Sequence, residues 1–247
     1  MTKQPFVSHL LELRKRLLLS IAWVLICFLA LLSFANDIYQ LIAAPLMSRL
    51  PEGTSMIATG VATPFFTPLK LTLFSAFALS VPMILHQIWC FVRPGLKTQE
   101  RYLFAPLLLS GSMLFYLGIG FAYTVVLPAA FVFLTATAPE GVVIATDISN
   151  YLDFVLALFL AFGLAFEIPI AVVLLCKMGI TDVETLSRSR AYVIVASFVI
   201  GMLLTPPDII SQTLLAIPMC LLFELGLMVS RMVVRESPEQ QEEVLLD

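Results

Sequence analysis

Long stretches without a charged side chain recur along this chain, and they constrain its fold more than any other feature. No Lys, Arg, Asp or Glu occurs between Arg16 and Asp37, between Lys70 and Arg93, or in residues 102–139. A charge at the centre of a bilayer costs about 2.5–3.5 kcal/mol on insertion scales, and a spanning helix needs about 20 apolar residues. The pattern therefore predicts a polytopic membrane protein.

Composition supports this class and excludes several others. Hydrophobic residues make up 60% of the 247 residues and charged residues only 13%, whereas a soluble domain carries about 25% charged residues. So few charges cannot cover the surface of a globule of this size. We therefore exclude a soluble enzyme, a nucleic-acid-binding protein and a disordered chain, and we expect membrane lipid to surround the chain.

The membrane topology depends on whether residues 102–139 contain one span or two, because this window is too long for a single helix. With one span ending before Pro128, 12 of the 14 Lys and Arg residues fall on one side, and only Arg49 and Lys70 fall on the other. The positive-inside rule therefore favours an all-α protein with six spans and both termini cytoplasmic. The predicted spans are residues 17–39, 67–92, 106–127, 152–176, 191–205 and 209–230.

The segments outside the spans have their own signatures. Residues 1–16 have the apolar period of an amphipathic helix lying along the cytoplasmic surface before the membrane domain 17–235. Residues 40–66 and 128–151 are predicted outer loops, and 236–247 is an acidic tail predicted to be disordered. We interpret residues 17–32 as a retained first span, because this apolar run is long for a cleaved signal peptide.

Prolines and short spans predict the shape of the bundle. Pro82, Pro169 and Pro218 lie inside the second, fourth and sixth spans, where each is expected to kink its helix. Such kinks are tolerated in membrane helices, but repeated kinks can also bend a bundle into a concave wall. We predict a kinked, concave bundle in which the fifth and sixth spans are short.

The sequence carries no signature of catalysis. It lacks a GxxxxGK[ST] phosphate loop and an HExxH motif, and its two histidines, His9 and His86, are far apart. The four cysteines lie in or at the ends of spans, where they are expected to be buried hydrophobes. We predict no metal, no cofactor and no enzymatic activity.

Two carboxylates are expected at the cytoplasmic interface. Glu12 lies four residues before Arg16, so it is either half of a solvated helix ion pair or a site for a guanidinium. Glu100 is the one acid in the basic loop 93–101, where it either neutralises a neighbouring base or offers a second carboxylate. These residues alone leave both alternatives open.

A third carboxylate, Glu167, lies inside the fourth span, two residues before Pro169. An ionisable residue at membrane depth is a functional-site hypothesis by default. The structural alternative is a hydrogen bond between packed helices, with Gln87 or Gln212 as the partner.

Several long motifs, in order, resemble the TatC family of twin-arginine protein translocase subunits. They cover the chain from about residue 5 to residue 235 and leave only the acidic tail unmatched: HLLELRKRL, MIATGVATPFFTPLKL, FVRPGLKTQER, AFGLAFEIPI and GMLLTPPDIISQTLLAIPM.

This resemblance implies a function and a set of site residues. TatC proteins are inner-membrane proteins that bind twin-arginine signal peptides of folded cargo. They work with the single-span subunits TatA and TatB and with further copies of TatC. The proton-motive force drives transport. The implied recognition residues are Glu12 and Glu100, with Arg14 and Phe91 at other sensitive positions. The other implied functional positions are Pro45, Glu167 and Asp208.

Two alternatives come from other functional classes. A secondary transporter would use Glu167 to couple proton movement to a small solute, although such transporters usually contain internal repeats and none is visible here. A membrane scaffold would only hold other proteins. Export that depends on an arginine pair would distinguish the translocase from both.

Overall fold

The computed structural model describes residues 4–47, 57–92, 104–136, 147–204 and 209–233, and within these ranges the chain is helical. The only β-structure in the described ranges is an isolated parallel bridge between Ile57 and Asp147. The helices are α1 (Gln4–Leu31), α2 (Ala35–Met47), α3 (Thr63–Val92), α4 (Phe104–Phe121), α5 (Leu127–Ala136), α6 (Ile148–Ala165), α7 (Ile168–Lys177), α8 (Val183–Arg188), α9 (Arg190–Leu204) and α10 (Ile209–Val233).

Within these described ranges, five helical segments are long and apolar enough to cross a membrane, and a sixth is apolar but shorter. The short one is α9, whose 15 residues extend about 22 Å, less than the roughly 30 Å of a hydrocarbon core. This confirms the predicted all-α membrane fold and the short fifth span. The sixth span is not short, because α10 has 25 residues.

The N-terminal segment is not a separate helix. Residues 4–31 form one continuous α-helix, so no break separates the predicted surface helix from the first span. After a single turn of 3₁₀ helix, α2 extends the helical segment to Met47, beyond the expected end at residue 39. Pro45 lies near the end of α2 rather than in an irregular loop.

The third helical segment also continues past its predicted end. We expected Pro128 to terminate it, but α4 leads through a π-helical turn, Ala122–Val126, directly into α5. The N–H of Leu127 bonds the carbonyl oxygen of Ala122, five residues back. A π turn widens the backbone just where the proline ring would clash with the preceding turn. The helix therefore includes Pro128 and ends at Ala136.

The described helices divide into two compact units, and the boundary along the chain falls between Gly163 and Leu164. In the first unit α3 packs against α1, α2 and α4. Aromatic rings form much of its buried interior: Phe77 meets Phe115 edge to face, and Phe121 lies 5.6 Å from Phe162 between ring centroids. Because such contacts add to the burial of apolar area, they fix the helices against one another.

One acidic residue, Asp147, connects the chain before α3 to the start of α6. Asp147 Oδ2 accepts hydrogen bonds from the backbone N–H of Thr59 (2.9 Å) and from its hydroxyl (2.6 Å). Its Oδ1 accepts from the N–H groups of Ser149 and Asn150 at the start of α6. The parallel bridge to Ile57 lies beside these bonds. Asp147 thus caps α6 and holds the chain before α3.

In the second unit α10 packs against α7, α8 and α9. Its core contains the buried side chains of Val172, Phe223 and Leu227, with Ile168 and Val193 packed on them. The helical path is interrupted between Ala165 and Ile168. Pro169 has no N–H for the carbonyl four residues back, so the predicted irregularity at this proline is present as a break. Pro82 and Pro218, in contrast, lie within continuous helices.

Candidate functional site

Glu12, Arg16 and Gln87 form a hydrogen-bonded group between α1 and α3. Oε1 of Glu12 accepts two bonds from the Arg16 guanidinium, from Nε at 3.1 Å and from Nη2 at 2.7 Å. The third guanidinium nitrogen, Nη1, donates to Oε1 of Gln87 at 3.2 Å. Both charged side chains are partly exposed, Arg16 to 25% and Glu12 to 36%, so the group can be reached from outside the protein.

The helical repeat explains half of this arrangement. Residues four apart lie on the same face of a helix, so Glu12 and Arg16 of α1 meet directly. Gln87 lies 71 residues further along the chain, in the last two turns of α3. Because α1 packs along α3, the amide oxygen of Gln87 reaches the guanidinium from the neighbouring helix.

Both guanidinium bonds to Glu12 converge on a single carboxylate oxygen. The strongest carboxylate–guanidinium pairing instead uses two parallel bonds, one to each oxygen. That stronger geometry is present elsewhere in the chain: Nε and Nη2 of Arg190 donate to Oε1 and Oε2 of Glu224, at 2.5 and 2.9 Å. The Glu12 pair is therefore the less complete of the two.

The other predicted recognition residues are placed separately. Arg14, with Lys15, lines an exposed groove on α1 among Leu11, Leu18 and Leu19. Phe91 is partly buried in the last turn of α3, one turn beyond Gln87. Glu100 lies outside the described residues, so the structure brings together Glu12 and Gln87 but leaves the second carboxylate unplaced.

Glu167 occupies the break between α6 and α7. It precedes α7 with helical backbone angles, but its side chain makes no capping hydrogen bond. Its Oε1 atom is buried, and no group in the described parts of the chain donates a hydrogen bond to it. Gln87, one of the partners considered for it, bonds Arg16 instead.

Three more predicted functional positions are Gln212, Pro45 and Asp208. Gln212 lies in the first turn of α10, where its backbone packs against Gly201 of α9 with 3.4 Å between its carbonyl oxygen and a β-carbon built on that glycine. Pro45 belongs to α2, although its side chain is outside the described part. Asp208 also lies outside the described residues.

Two polar contacts between helices, Arg16 to Gln87 and Arg190 to Glu224, were not predicted from the sequence. The helical spacing paired Arg16 with Glu12 but gave no sign of Gln87 as a third member, and it did not single out Arg190 or Glu224. Contacts over 71 and 34 residues depend on how helices pack. The only available signal was that each of these polar residues lies next to or within an apolar window.

The chemistry available at the Glu12 group is the binding of planar cations. A carboxylate accepts hydrogen bonds and has room for about four of them, so it can hold a guanidinium in a defined orientation. None of the described residues at the site offers a nucleophile activated by a base. Among the described residues, no cluster of three His, Cys, Asp or Glu side chains could hold a metal ion.

Comparisons with known proteins agree with one family. The family described as Sec-independent protein translocase protein (TatC) matches residues 8–218. The protein named Sec-independent protein translocase protein TatC from Escherichia coli is 58% identical over 97% of this chain and 93% of its own length. Its namesake from Haemophilus influenzae is 60% identical over 92% of this chain and 89% of its own length.

Solved structures agree with the sequence comparisons. A crystal structure described as the twin arginine translocase receptor TatC superposes with a TM-score of 0.82 at 38% identity, covering 92% of this chain and 100% of that one. A second, in the detergent DDM, gives a TM-score of 0.82 at 37% identity and covers 90% of this chain and 99% of that one. With sequence and fold in agreement over most of its length, the chain belongs to the TatC family of Sec-independent protein translocase proteins.

Proposed function

We propose that this chain binds twin-arginine signal peptides at carboxylates on its cytoplasmic side, Glu12 and Glu100, and passes the attached folded proteins across the membrane. Family membership makes it a core subunit of the Tat translocase, a non-enzymatic transport component and a multi-pass protein of the bacterial inner membrane. The energy source that we propose is the proton-motive force. No chemical step on the cargo is required.

The observation that supports this proposal is the guanidinium already held by Glu12. Its carboxylate accepts two N–H bonds from Arg16, which is the chemistry that a peptide arginine would use. An arginine offers five N–H donors in a rigid plane, whereas a lysine offers a point charge on a flexible stem. A site built on carboxylates therefore distinguishes an arginine pair from a lysine pair by geometry rather than by charge.

Arg14 and Phe91 are proposed to contact the peptide next to its arginines. Arg14 lines the exposed groove on α1 together with leucines, a surface that suits an apolar peptide segment. Phe91 lies in the last turn of α3, one turn after Gln87. We also propose that Pro45 and Asp208 are functional positions, as the family motifs imply.

We also propose an orientation of the chain in the membrane and a set of protein partners. The excess of Lys and Arg on one side of the predicted spans supports cytoplasmic placement of both termini. We propose single-span TatA-type and TatB-type subunits and further copies of this chain as partners. The short α9 and its exposed Ile194, Val195 and Leu203 side chains suit a neighbouring apolar helix.

Glu167 is proposed to act within the membrane, together with Gln212. Its buried Oε1 has no donor in the described parts of the chain, so a polar group that reaches it during transport would gain a hydrogen bond. Replacement by Gln keeps the shape, whereas replacement by Leu removes all hydrogen bonding. We expect export to fall more with Leu than with Gln.

The test is binding of a twin-arginine signal peptide to the purified protein in lipid nanodiscs. A peptide with two lysines and the variants Glu12→Gln and Glu100→Gln are measured beside it. We expect the arginine peptide to bind more tightly, and either glutamine to weaken it by about tenfold or more, the loss of one charge-assisted pair.

Glu224→Gln is the matched control, since it also removes a carboxylate that holds an arginine. It should leave peptide binding unchanged. If the two peptides bind equally, or if neither Glu12→Gln nor Glu100→Gln weakens binding, recognition does not use these carboxylates and the proposal fails.

A further inference from the structure

The guanidinium of Arg16 occupies the atom that a peptide arginine needs. Oε1 of Glu12 receives two of the N–H bonds that Arg16 makes, and an oxygen of a carboxylate has only two lone pairs to offer. A two-point pairing with an incoming guanidinium uses both oxygens at once. It is therefore incompatible with Arg16 in the position observed.

We propose that Arg16 is an internal competitor of the signal peptide: the first guanidinium of the peptide replaces Arg16 on Glu12, and Arg16 stays bound to Gln87. This inference rests on the proposed function. It adds Arg16 and Gln87 to the recognition site as residues that set its affinity, without direct contact between Arg16 and the peptide.

The geometry favours replacement by the peptide. Arg16 reaches only one oxygen of Glu12, and bonds from two nitrogens to one oxygen are weaker than two parallel bonds. A peptide guanidinium approaches freely and can take both oxygens. An ammonium group has no such second point of contact, so it gains less from the same exchange.

Gln87 lowers the cost of releasing Arg16. Its Oε1 accepts from Nη1, a nitrogen that takes no part in the bonds to Glu12. The guanidinium therefore keeps one protein partner while its other two nitrogens turn to water. An arginine released with no partner would lose more, because a partly buried charge needs compensation.

The experiment measures peptide affinity in nanodiscs for Arg16→Gln and Arg16→Lys. Without the competitor, we expect Arg16→Gln to bind the arginine peptide about two- to fivefold more tightly, the range that corresponds to an ion pair of modest strength. The lysine peptide should gain as well. Arg16→Lys should also bind more tightly than the unchanged protein, because an ammonium occupies Oε1 with fewer hydrogen bonds.

Arg16→Lys separates occupancy from simple repulsion. It keeps the positive charge, so if Arg16→Gln gains affinity and Arg16→Lys does not, Arg16 acts only by repelling a cationic peptide and the inference is overturned. Weaker binding by Arg16→Gln would overturn it too, because Arg16 would then hold Glu12 in place for the peptide. Arg190→Gln, which removes another paired arginine, should bind as the unchanged protein does.

A second variant tests Gln87 with Arg16 still present. Gln87→Glu offers the guanidinium a charged acceptor, draws it from Glu12 and should raise peptide affinity. The added charge could attract the peptide by itself, so the same change is made in Arg16→Gln. The gain must be larger when Arg16 is present; equal gains in the two backgrounds would overturn the role of Gln87.

These outcomes are distinguishable from failure of the proposed function. If the unchanged protein binds the arginine peptide more tightly than the lysine peptide and Glu12→Gln weakens binding, recognition at Glu12 is supported. This conclusion does not depend on the result for the Arg16 variants. If neither result is observed, the proposed function fails and the competitor role fails with it.

Discussion

Gly226 of α10 lies directly against Pro169 of α7. A β-carbon built on Gly226 would lie 2.9 Å from Cα of Pro169 and 3.2 Å from Cβ of Val172. The nearest atom is backbone, which cannot turn aside as the end of a flexible side chain could. The absence of a side chain at position 226 thus lets α10 approach the start of α7, two residues after Glu167. This contact fixes the place where the helix resumes after its break.

We predict that Gly226→Ala lowers stability by about 1–3 kcal/mol, the usual cost of overpacking a close contact. Alanine favours a helix more than glycine does, so any loss must come from the contact with α7. The measurement is the midpoint of thermal denaturation in detergent. Gly120→Ala is the control, because nothing lies within 4 Å of a β-carbon there. Equal midpoints for the two variants would contradict the prediction.

The hydrogen bonds of Asp147 predict a dependence of stability on pH. Bonds from the Thr59 hydroxyl, then from the Thr59 N–H, lower the pKa of the Asp147 carboxyl to about 2. A carboxyl with a lowered pKa in the folded protein contributes stability that is fully present above its unfolded pKa of about 4 and is lost as pH falls toward 2. Asp147→Asn should therefore be less stable than the unchanged protein at neutral pH, and this difference should shrink below pH 4.

Asp153→Asn is the control for that series. Asp153 pairs with Lys70 at 3.0 Å, but both side chains are about half exposed, and exposed ion pairs contribute little. The measurement is the denaturation midpoint of all three proteins between pH 7 and the lowest pH at which they stay soluble. A difference between Asp147→Asn and the unchanged protein that does not change with pH would show that the carboxylate charge is not what holds Thr59.

The positions of the helices were predictable because the membrane imposes a simple rule. A charge-free window long enough to span the membrane forms a helix, whatever its detailed sequence. Helices cover the windows beginning after Arg16 and after Lys70 for this reason. The rule does not specify where a helix ends. Pro128 is a usual end signal, and only the bond from Leu127 to the carbonyl five residues back reveals that the helix continues.

The candidate site was predictable only where its members lie close in sequence. Glu12 and Arg16 are one helical turn apart, so their ion pair follows from the repeat. The bond to Gln87 depends on which helices become neighbours, and a single sequence does not contain that information. Gln87 was considered, beside Gln212, as a hydrogen-bond partner of Glu167 in the structural alternative, and the structure pairs it with Arg16 instead.

The pairing of Arg190 with Glu224 predicts a measurable coupling between α9 and α10. Each carboxylate oxygen receives its own N–H bond, which is the strong two-point geometry. About half of each side chain is exposed, so solvent reduces its strength. We expect a coupling free energy of about 0.5–1 kcal/mol in a double-mutant cycle of Arg190→Gln and Glu224→Gln.

Arg190→Lys distinguishes geometry from charge in that cycle. A lysine keeps the charge but makes one contact where arginine makes two, so it should lose part of the coupling. The measurement is chemical denaturation of the single and double variants in the same detergent. If Arg190→Lys is as stable as the unchanged protein, the second bond contributes nothing and the two-point geometry is irrelevant to stability.

The buried hydrogen bond of the Tyr151 hydroxyl predicts that removing this hydroxyl lowers the stability of the protein. It donates to the backbone carbonyl of Ile42 at 3.2 Å and joins α6 to α2 in an interior where Tyr151 is 3% exposed. Tyr151→Phe keeps the ring but leaves that carbonyl without this donor, which should cost about 1 kcal/mol. Tyr192→Phe is the control, because Tyr192 is 78% exposed. The denaturation midpoint should fall clearly for Tyr151→Phe and little for Tyr192→Phe, because only the Tyr151 hydroxyl is lost from a buried site.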